Sequence, residues 1–270
     1  MEFTNPQFDG PFEVSEIEIH NEGEKIRGIL YFPPDEFKKP YPLIIYFHEF
    51  PQLLSFQEIV KDYKYLLEMG YSFLVFNFRG YRLSEGKISV KSQVSDGLKV
   101  CEFASKMAEK DIFKKNNLNI LANDFGGYIA LLVSNKTTLL KRVLLLAPII
   151  DLEKHIHSND FKKVLAYIKR FLPTNIRGID QIENFVKYTR KEISNKELNL
   201  NYYTQNFHFE DLKIIIGEKD KITPLNEVKL FINKLKKDVN LSIIPEMDHE
   251  AFDEADLKKI EQEIKKFFTL

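Results

Sequence analysis

Short apolar runs alternate with longer amphipathic stretches along most of this chain. Residues 43–47 and 118–122 are largely apolar and have the length of buried strands. Residues 56–69 and 90–108 instead repeat apolar side chains at the spacing of an amphipathic helix. Strands that alternate with helices predict an α/β protein with a mostly parallel sheet and an N-terminal β-hairpin. The predicted strands are residues 13–19, 25–32, 43–47, 73–78, 118–122, 143–147, 212–216 and 241–244.

The pattern changes between residues 149 and 209, where no run of the buried-strand type occurs. Apolar positions at helical spacing predict one amphipathic helix over residues 161–172 and a second over residues 182–193. We therefore expect residues 1–148 and 210–270 to form a core domain. Residues 149–209 are expected to form a helical cap, inserted after the sixth predicted strand.

Composition and charge narrow the classes of function. The 270 residues are 44% hydrophobic and 29% charged, with a net charge of −1, as is ordinary for a globular enzyme. This charge gives no general attraction to nucleic acid or to anionic membranes, and no apolar run is long enough to span a bilayer. The first residues lack a signal-peptide pattern and Cys101 is the single cysteine, which together predict a cytoplasmic protein.

Residues 118–128, with the sequence LNILANDFGGY, carry the main chemical signal. An apolar strand leads into a turn centred on Asp124, and an apolar helix follows. Ala122 and Gly126 stand two residues before and two after Asp124, which is the spacing of a nucleophile elbow. Such a turn presents its central side chain at the N-terminus of a helix. Asp is also a common helix N-cap, so a capping role for Asp124 is an alternative interpretation.

Other polar residues follow the ends of the predicted strands, where reactive groups collect in an open parallel sheet. The segment HEFP at residues 48–51 follows one strand, and RGYRLSEG at residues 79–86 follows another. Asp220 and His249 each come just after a later strand. The chain order is therefore a candidate nucleophile, an acid and a histidine.

Taken together, these segments resemble the α/β-hydrolase superfamily over nearly the whole chain. The resemblance rests on His-x-x-Pro at residues 48–51, Arg-Gly-x-x-x-Ser-x-Gly at residues 79–86, the elbow, and G-x-x-D at residues 217–220 followed by His249. An aspartate at the elbow is similar to the epoxide hydrolases and haloalkane dehalogenases within that superfamily. The loop at residues 79–86 and the short cap also resemble the esterase and acyl-peptidase branches.

A carboxylate nucleophile suits displacement at a saturated carbon, because its attack on an acyl group would form an unfavourable mixed anhydride. The resemblance implies that Asp124 forms an alkyl ester, which is hydrolysed by water that His249, oriented by Asp220, activates. The N–H groups of Phe50 and Phe125 would form the oxyanion hole. An epoxide is the expected substrate, because the chain has no Trp and haloalkane dehalogenases bind halide with indole N–H groups.

Several further residues are candidates for contact with the substrate. Tyr167, Tyr188, Tyr202 and Tyr203 lie in the predicted cap, where tyrosines of the epoxide hydrolases protonate the leaving oxygen. Glu49 stands where that family has Gly. Its side chain would either obstruct the oxyanion hole or orient a water molecule, and the sequence leaves both open.

Three functional hypotheses remain at this stage. The protein is an Asp-nucleophile hydrolase, an esterase- or peptidase-like protein in which Asp replaces the elbow Ser, or a non-catalytic protein of this fold that binds a ligand or partner. A small-molecule substrate is the expected partner, nucleic acid and membranes are not, and a homodimer is compatible with the sequence. His155-x-His157 is interpreted as a solvated helix start without metal-ligand spacing, so neither a metal nor a cofactor is expected.

Overall fold

The computed structural model describes residues 7–172, 175–202, 207–235 and 237–269. Across these residues, nine strands form a single sheet in the order β1-β2-β3-β5-β4-β6-β7-β8-β9. The strands are β1 (Gln7–Asp9), β2 (Phe12–Asn21), β3 (Glu24–Tyr31), β4 (Tyr41–Phe47), β5 (Ser72–Phe76), β6 (Phe113–Asn123), β7 (Leu140–Leu146), β8 (Asp211–Gly217) and β9 (Val239–Ile244). The helices are α1 (Phe56–Glu68), α2 (Val90–Glu109), α3 (Phe125–Ser134), α4 (Leu152–His157), α5 (Asn159–Phe171), α6 (Ile182–Ile193), α7 (Leu225–Lys234), α8 (Glu254–Phe268) and a short 3₁₀ helix, Lys196–Leu198. None of these helices combines the length and the apolar character needed to cross a bilayer.

The sheet is antiparallel at its N-terminal side and parallel elsewhere. β1, β2, β3 and β5 pair with antiparallel neighbours, whereas β5, β4, β6, β7, β8 and β9 follow one another in parallel. The prediction of an α/β protein with a mostly parallel sheet and an N-terminal hairpin is confirmed. The sequence pattern does not predict β1, because this strand has only three residues and both Gln7 and Asp9 are exposed. The helical segment therefore follows the seventh strand and not the sixth.

Helices cover both faces of the parallel strands, so β5 is buried at every position. α1 and α8 pack on one face, against side chains that include Ile44 and Leu121. α2, α3 and the helices between β7 and β8 cover the other face, where they pack against side chains that include Ile45 and Ile120. This alternation along β4 and β6 follows from the two-residue period of a strand.

The described chain between β7 and β8 contains α4, α5, α6 and the 3₁₀ helix, and it makes hydrogen bonds to α3 and to the N-terminus of α2. Tyr128 of α3 donates its hydroxyl hydrogen to Leu198 O at 2.7 Å. The carboxylate of Glu192 on α6 accepts hydrogen bonds from the N–H groups of Val90 and Lys91. Its negative charge stabilises the N-terminus of α2. α4 is not predicted from the sequence, because its six residues are too few for a clear period. The division of the chain into a core domain and a cap remains a prediction.

Candidate active site

A strained turn joins β6 to α3 and presents Asp124. This residue has φ +47° and ψ −115°, a conformation that non-glycine residues rarely adopt. A side chain at Gly126 would not fit, because a Cβ atom built there would lie 2.2 Å from Phe47 O. The small residues of the motif thus allow α3 to approach the end of β4. Asp124 makes no side-chain hydrogen bond that caps α3, so the alternative capping interpretation is wrong.

Asp124, His249 and Asp220 meet at the carboxyl ends of β6, β9 and β8. His249 Nε2 lies 3.2 Å from Asp124 Oδ1, and His249 Nδ1 lies 2.9 Å from Asp220 Oδ2. Burial alone would lower the pKa of His249. The hydrogen bonds and charges of the two carboxylates outweigh it and raise the pKa of His249 to about 10. At neutral pH the ring is therefore an imidazolium between two carboxylates.

Backbone hydrogen bonds fix Asp220 in this arrangement. Its Oδ1 accepts the N–H groups of Ile222 at 2.9 Å and Thr223 at 2.7 Å, which leaves Oδ2 directed at the histidine. In the loop after β9, Asp248 Oδ1 accepts the N–H of His249 at 2.9 Å. The ring orientation is thus set by contacts on both loops.

The second oxygen of Asp124 faces the backbone. Phe50 N–H donates to Asp124 Oδ2 at 3.2 Å. Burial opposes ionisation of Asp124, but the hydrogen bond and charge of His249, together with the Phe125 N–H, outweigh it and hold the pKa of the carboxyl below its usual 3.8. The carboxylate therefore accepts the N–H of Phe50, one of the two groups that the sequence predicts as an oxyanion hole.

Glu49 is not one of the described residues that line a mainly apolar cavity next to the elbow. Its carboxylate accepts the hydroxyl hydrogen of Tyr46 at 3.0 Å, and burial raises its pKa. The adjacent His48 accepts the Phe78 N–H on Nε2 at 3.2 Å, so its Nδ1–H donates to Glu49 O at 2.9 Å. Burial lowers the pKa of His48 to about 4, so this ring is neutral and holds the loop in place.

A mainly apolar cavity adjoins the elbow. The cavity has a volume of about 20 Å³, room for about one water molecule, and Phe50 and Phe125 form part of its wall. Thr189 also lines it, but its hydroxyl already donates to Phe185 O at 2.9 Å. The full lining consists of Phe50, Ile88, Ser89, Val90, Phe125, Leu152, His155, Ile156, Phe161, Phe185 and Thr189. Among these described residues, His155 is the ionisable one.

Tyr167, Tyr188 and Tyr202, the described candidates among the predicted tyrosines, do not line this cavity. Tyr167 is 52% exposed and packs its ring against Phe171, and Tyr202 is 63% exposed. α5 buries Phe161, Leu165 and Ile168, and Tyr167 is not part of that buried face. Tyr188 is 52% exposed and lines a second, more open cleft of about 550 Å³, which shares three wall residues with the first. Tyr203 lies outside the described residues.

His155 is the residue that sequence reasoning missed. It lies in the cavity wall, whereas His157, two residues later, is exposed. The interpretation of the pair as a solvated helix start is therefore wrong for His155. A signal was present, since Leu152, His155 and Ile156 have the i, i+3, i+4 spacing of one helical face. Among the described residues, no group of three or more His, Cys, Asp and Glu side chains could hold a metal ion.

No protein-family model matches the sequence, and no curated protein matches it. Several solved structures are similar in fold. Est1E of Butyrivibrio proteoclasticus, solved with ferulic acid bound, is 19% identical over 93% of this chain and 97% of that protein, with a TM-score of 0.69. An esterase from Pyrococcus furiosus is 18% identical over 95% of this chain and 90% of that one, with a TM-score of 0.69. An acetyl xylan esterase from Paenibacillus sp. R4 is 14% identical over 98% and 88%, with a TM-score of 0.63. Identities this low concern the fold alone, and they show that the chain has the α/β-hydrolase fold.

Proposed function

We propose that this protein is a hydrolase that uses Asp124 as its nucleophile and passes through an alkyl ester of that carboxylate. One observation carries the proposal: the two oxygens of Asp124 have different partners. Oδ1 faces His249, and Oδ2 accepts the N–H of Phe50. Oδ1 is thus placed to attack. Oδ2 is held by the Phe50 N–H, a donor that would stabilise negative charge during ester hydrolysis.

The first step forms the ester. Asp124 Oδ1 attacks a saturated carbon of the substrate, the bond from that carbon to the leaving oxygen breaks, and the leaving oxygen takes up a proton. Esterification removes the negative charge of Asp124. Because this charge helps to hold the proton on His249, the pKa of His249 falls and the ring releases its proton to solvent.

The second step hydrolyses the ester. Neutral His249 takes a proton from water as the water oxygen attacks the carbonyl carbon of the Asp124 ester. The carbonyl oxygen becomes anionic and is stabilised by the N–H groups of Phe50 and Phe125. Collapse of this intermediate releases the alcohol oxygen, which takes the proton from His249. Asp124 is left as a carboxylic acid that carries the second proton of the water. It passes this proton to His249, which restores the carboxylate and the imidazolium.

An epoxide that carries an apolar group is the proposed substrate class. Opening an epoxide is a displacement at a saturated carbon, which a carboxylate performs without forming an anhydride. The mainly apolar wall of the cavity suits an apolar substituent, although the wall has to open to admit one because the cavity itself holds only about 20 Å³. The absence of Trp continues to argue against a haloalkane substrate.

A second candidate function draws support from the structural comparisons, because two of the similar proteins are described as esterases. In this alternative the active site is that of an esterase whose elbow Ser is replaced by Asp124, and the protein as it stands does not turn over esters. Asp124→Ser would then restore the hydrolysis of 4-nitrophenyl acetate. Such activity in the variant, with no epoxide turnover in the unchanged protein, would favour this alternative.

Isotope labelling tests the covalent route. After many turnovers of styrene oxide in ¹⁸O-labelled water, we expect label in the peptide that contains Asp124. The peptide that contains Asp220 serves as an internal control and should remain unlabelled. In a complementary experiment, His249→Gln should trap the ester as a mass increase equal to that of the epoxide. Turnover without label at Asp124 would contradict the proposal, and no reaction in either form of the protein would favour a binding role.

A further inference from the structure

His155 occupies a distinctive position in the cavity wall. It lies on α4, which begins at Leu152. Three residues earlier, the N–H of Ile149 donates to Asp124 O at 3.1 Å, so α4 starts close to the elbow. The His155 ring lies 4.8 Å from the ring of Phe161, which in turn lies 5.6 Å from that of Phe50. The half-buried imidazole therefore packs on Phe161 in the wall of the cavity that Phe50 and Phe125 also line.

The proposed reaction needs a proton at the leaving oxygen. An alkoxide formed in an apolar cavity would be strongly destabilised, since little water is available to solvate it. His249 cannot readily supply the proton, because both of its ring nitrogens face carboxylates. Tyr167 and Tyr202, which the sequence suggests for this role, are exposed and do not line the cavity.

We propose that His155 is the general acid that protonates the leaving oxygen while Asp124 attacks. This inference rests on the proposed function and assigns a residue to its first step. The His155 imidazolium gives its N–H proton to the oxygen as the carbon–oxygen bond breaks, so the oxygen becomes a hydroxyl and the ring becomes neutral. The ring regains its proton from solvent before the next turnover, so no other reactant is needed.

The charges that act on His155 come from the catalytic residues. Burial lowers the pKa of His155, the negative charge of Asp124 raises it, and the positive charge of His249 lowers it further, for a net decrease from 6.5. α5 and α6 contribute Phe161, Phe185 and Thr189 to the surrounding wall, none of which titrates in this range. His155 is therefore a stronger acid than an exposed histidine, and it is present as imidazolium mainly below neutral pH.

A comparison of two leaving groups tests this role. Bromide leaves without a proton, whereas the oxygen of an epoxide needs one. We would measure the single-turnover rate of ester formation at Asp124 with styrene oxide and with (2-bromoethyl)benzene, which share a phenylethyl skeleton. His155→Gln keeps a hydrogen-bond donor but cannot transfer a proton. His157→Gln, an exposed change on the same helix, is the matched control.

We expect His155→Gln to slow the reaction with styrene oxide by about 10²-fold to 10⁴-fold and to leave the reaction with the bromide nearly unchanged. His157→Gln should alter neither rate. An equal decrease with both substrates, or an unchanged rate with the epoxide, would overturn the assignment. Failure of the unchanged protein to form an ester with either compound would instead overturn the proposed function.

The pH profile provides a second readout, which applies even if the bromide does not react. With styrene oxide, the rate of ester formation should fall as the pH rises through the pKa of His155, below 6.5. This decrease should be absent in His155→Gln and retained in His157→Gln. The same decrease in His155→Gln would show that another group supplies the proton and would exclude the role of His155.

Discussion

His249 Nε2 lies 3.2 Å from Asp124 Oδ1, and this contact makes the two side chains a buried ion pair. The second ring nitrogen is bound by Asp220, so one imidazolium is shared between two carboxylates. In a serine hydrolase the equivalent histidine faces a neutral hydroxyl and can act as a base at once. Here the raised pKa keeps it protonated while Asp124 is charged, so in the proposed mechanism its action as a base follows formation of the ester.

The raised pKa of His249 predicts how stability depends on pH. An unfolded histidine has a pKa near about 6.5, whereas the folded value is about 10. A group whose folded pKa is raised stabilises the protein fully below its unfolded pKa, and this contribution disappears as the pH rises through the folded pKa. The urea concentration at the unfolding midpoint should therefore decrease as the pH rises from 6.5 to 10.

His249→Gln isolates this contribution from the many other groups that titrate at high pH. Its urea midpoint should depend less on pH than that of the unchanged protein over the same range. His157→Gln serves as the control, because that histidine is exposed, and it should follow the unchanged protein. Parallel curves for His249→Gln and the unchanged protein would mean that the buried ion pair does not form.

The close approach of α3 to β4 predicts a cost for a single methyl group. In Gly126→Ala the new Cβ would lie 2.2 Å from Phe47 O, so the helix or the strand has to move. We expect a loss of about 1–3 kcal/mol in the free energy of unfolding, which is typical of overpacking. Activity should fall further, because the shift displaces Asp124. Urea unfolding and turnover would be measured together, with Glu109→Ala at the exposed end of α2 as the control.

Much of this fold follows from local patterns in the sequence. The buried parts of the parallel strands, such as residues 43–47 and 118–122, are largely apolar, and polar residues such as Asp124, Asp220 and His249 follow the strand ends. Because parallel strands end at one edge of the sheet, their sequence positions alone predict that these residues meet. The strand β1 lacks such a pattern, since its pairing depends on β2 and not on its own composition.

The wall of the cavity could not be predicted in the same way. Whether a side chain on an amphipathic helix faces a cavity or solvent depends on how that helix is set against the sheet, which a helical period does not specify. Tyr167 and His155 illustrate both outcomes: the first turns outward and the second inward. Glu49 was ambiguous because the direction of its side chain depends on Tyr46, which lies on the preceding strand.

A buried ion pair supports the loop after β5 and predicts a large loss of stability without a direct effect on chemistry. Arg79 Nε and Nη2 lie 2.9 Å and 2.6 Å from Asp96 Oδ1, and Asp96 is fully buried. Asp96→Ala leaves the guanidinium without its buried partner, so we expect a loss of about 3–5 kcal/mol in the free energy of unfolding. Glu22→Gln removes the exposed partner of Arg79 and should cost less than about 1 kcal/mol.

Urea unfolding of both variants measures these costs, and turnover per folded molecule should remain close to that of the unchanged protein. A similar cost for the two variants would indicate that the buried contact contributes no more than the exposed one. A selective loss of activity in Asp96→Ala at full stability would instead place this loop in the reaction.

Asp220 should matter more for hydrolysis of the ester than for its formation. Asp220 Oδ2 contacts Nδ1 of His249, and in the proposed second step it would stabilise the imidazolium that forms as water is deprotonated. In Asp220→Asn, we expect ester hydrolysis to slow by about 10²-fold to 10⁴-fold, whereas attack by Asp124 is less affected because its charge and its contact with Phe50 remain. The ester should therefore accumulate, and mass spectrometry of the quenched reaction would detect it.

The pH dependence separates this role from a structural one. Once Asp124 is esterified, His249 must be neutral to accept a proton from water, so the hydrolysis rate in the unchanged protein should rise with pH through the lowered pKa of His249. In Asp220→Asn this rise should begin at lower pH, because the second carboxylate that stabilised the imidazolium is also gone. Asp248→Asn is the control, since Asp248 accepts the backbone N–H of His249 and does not face its ring nitrogens. An ester that accumulates equally in both variants, or a profile that does not move in Asp220→Asn, would show that Asp220 only maintains the loop.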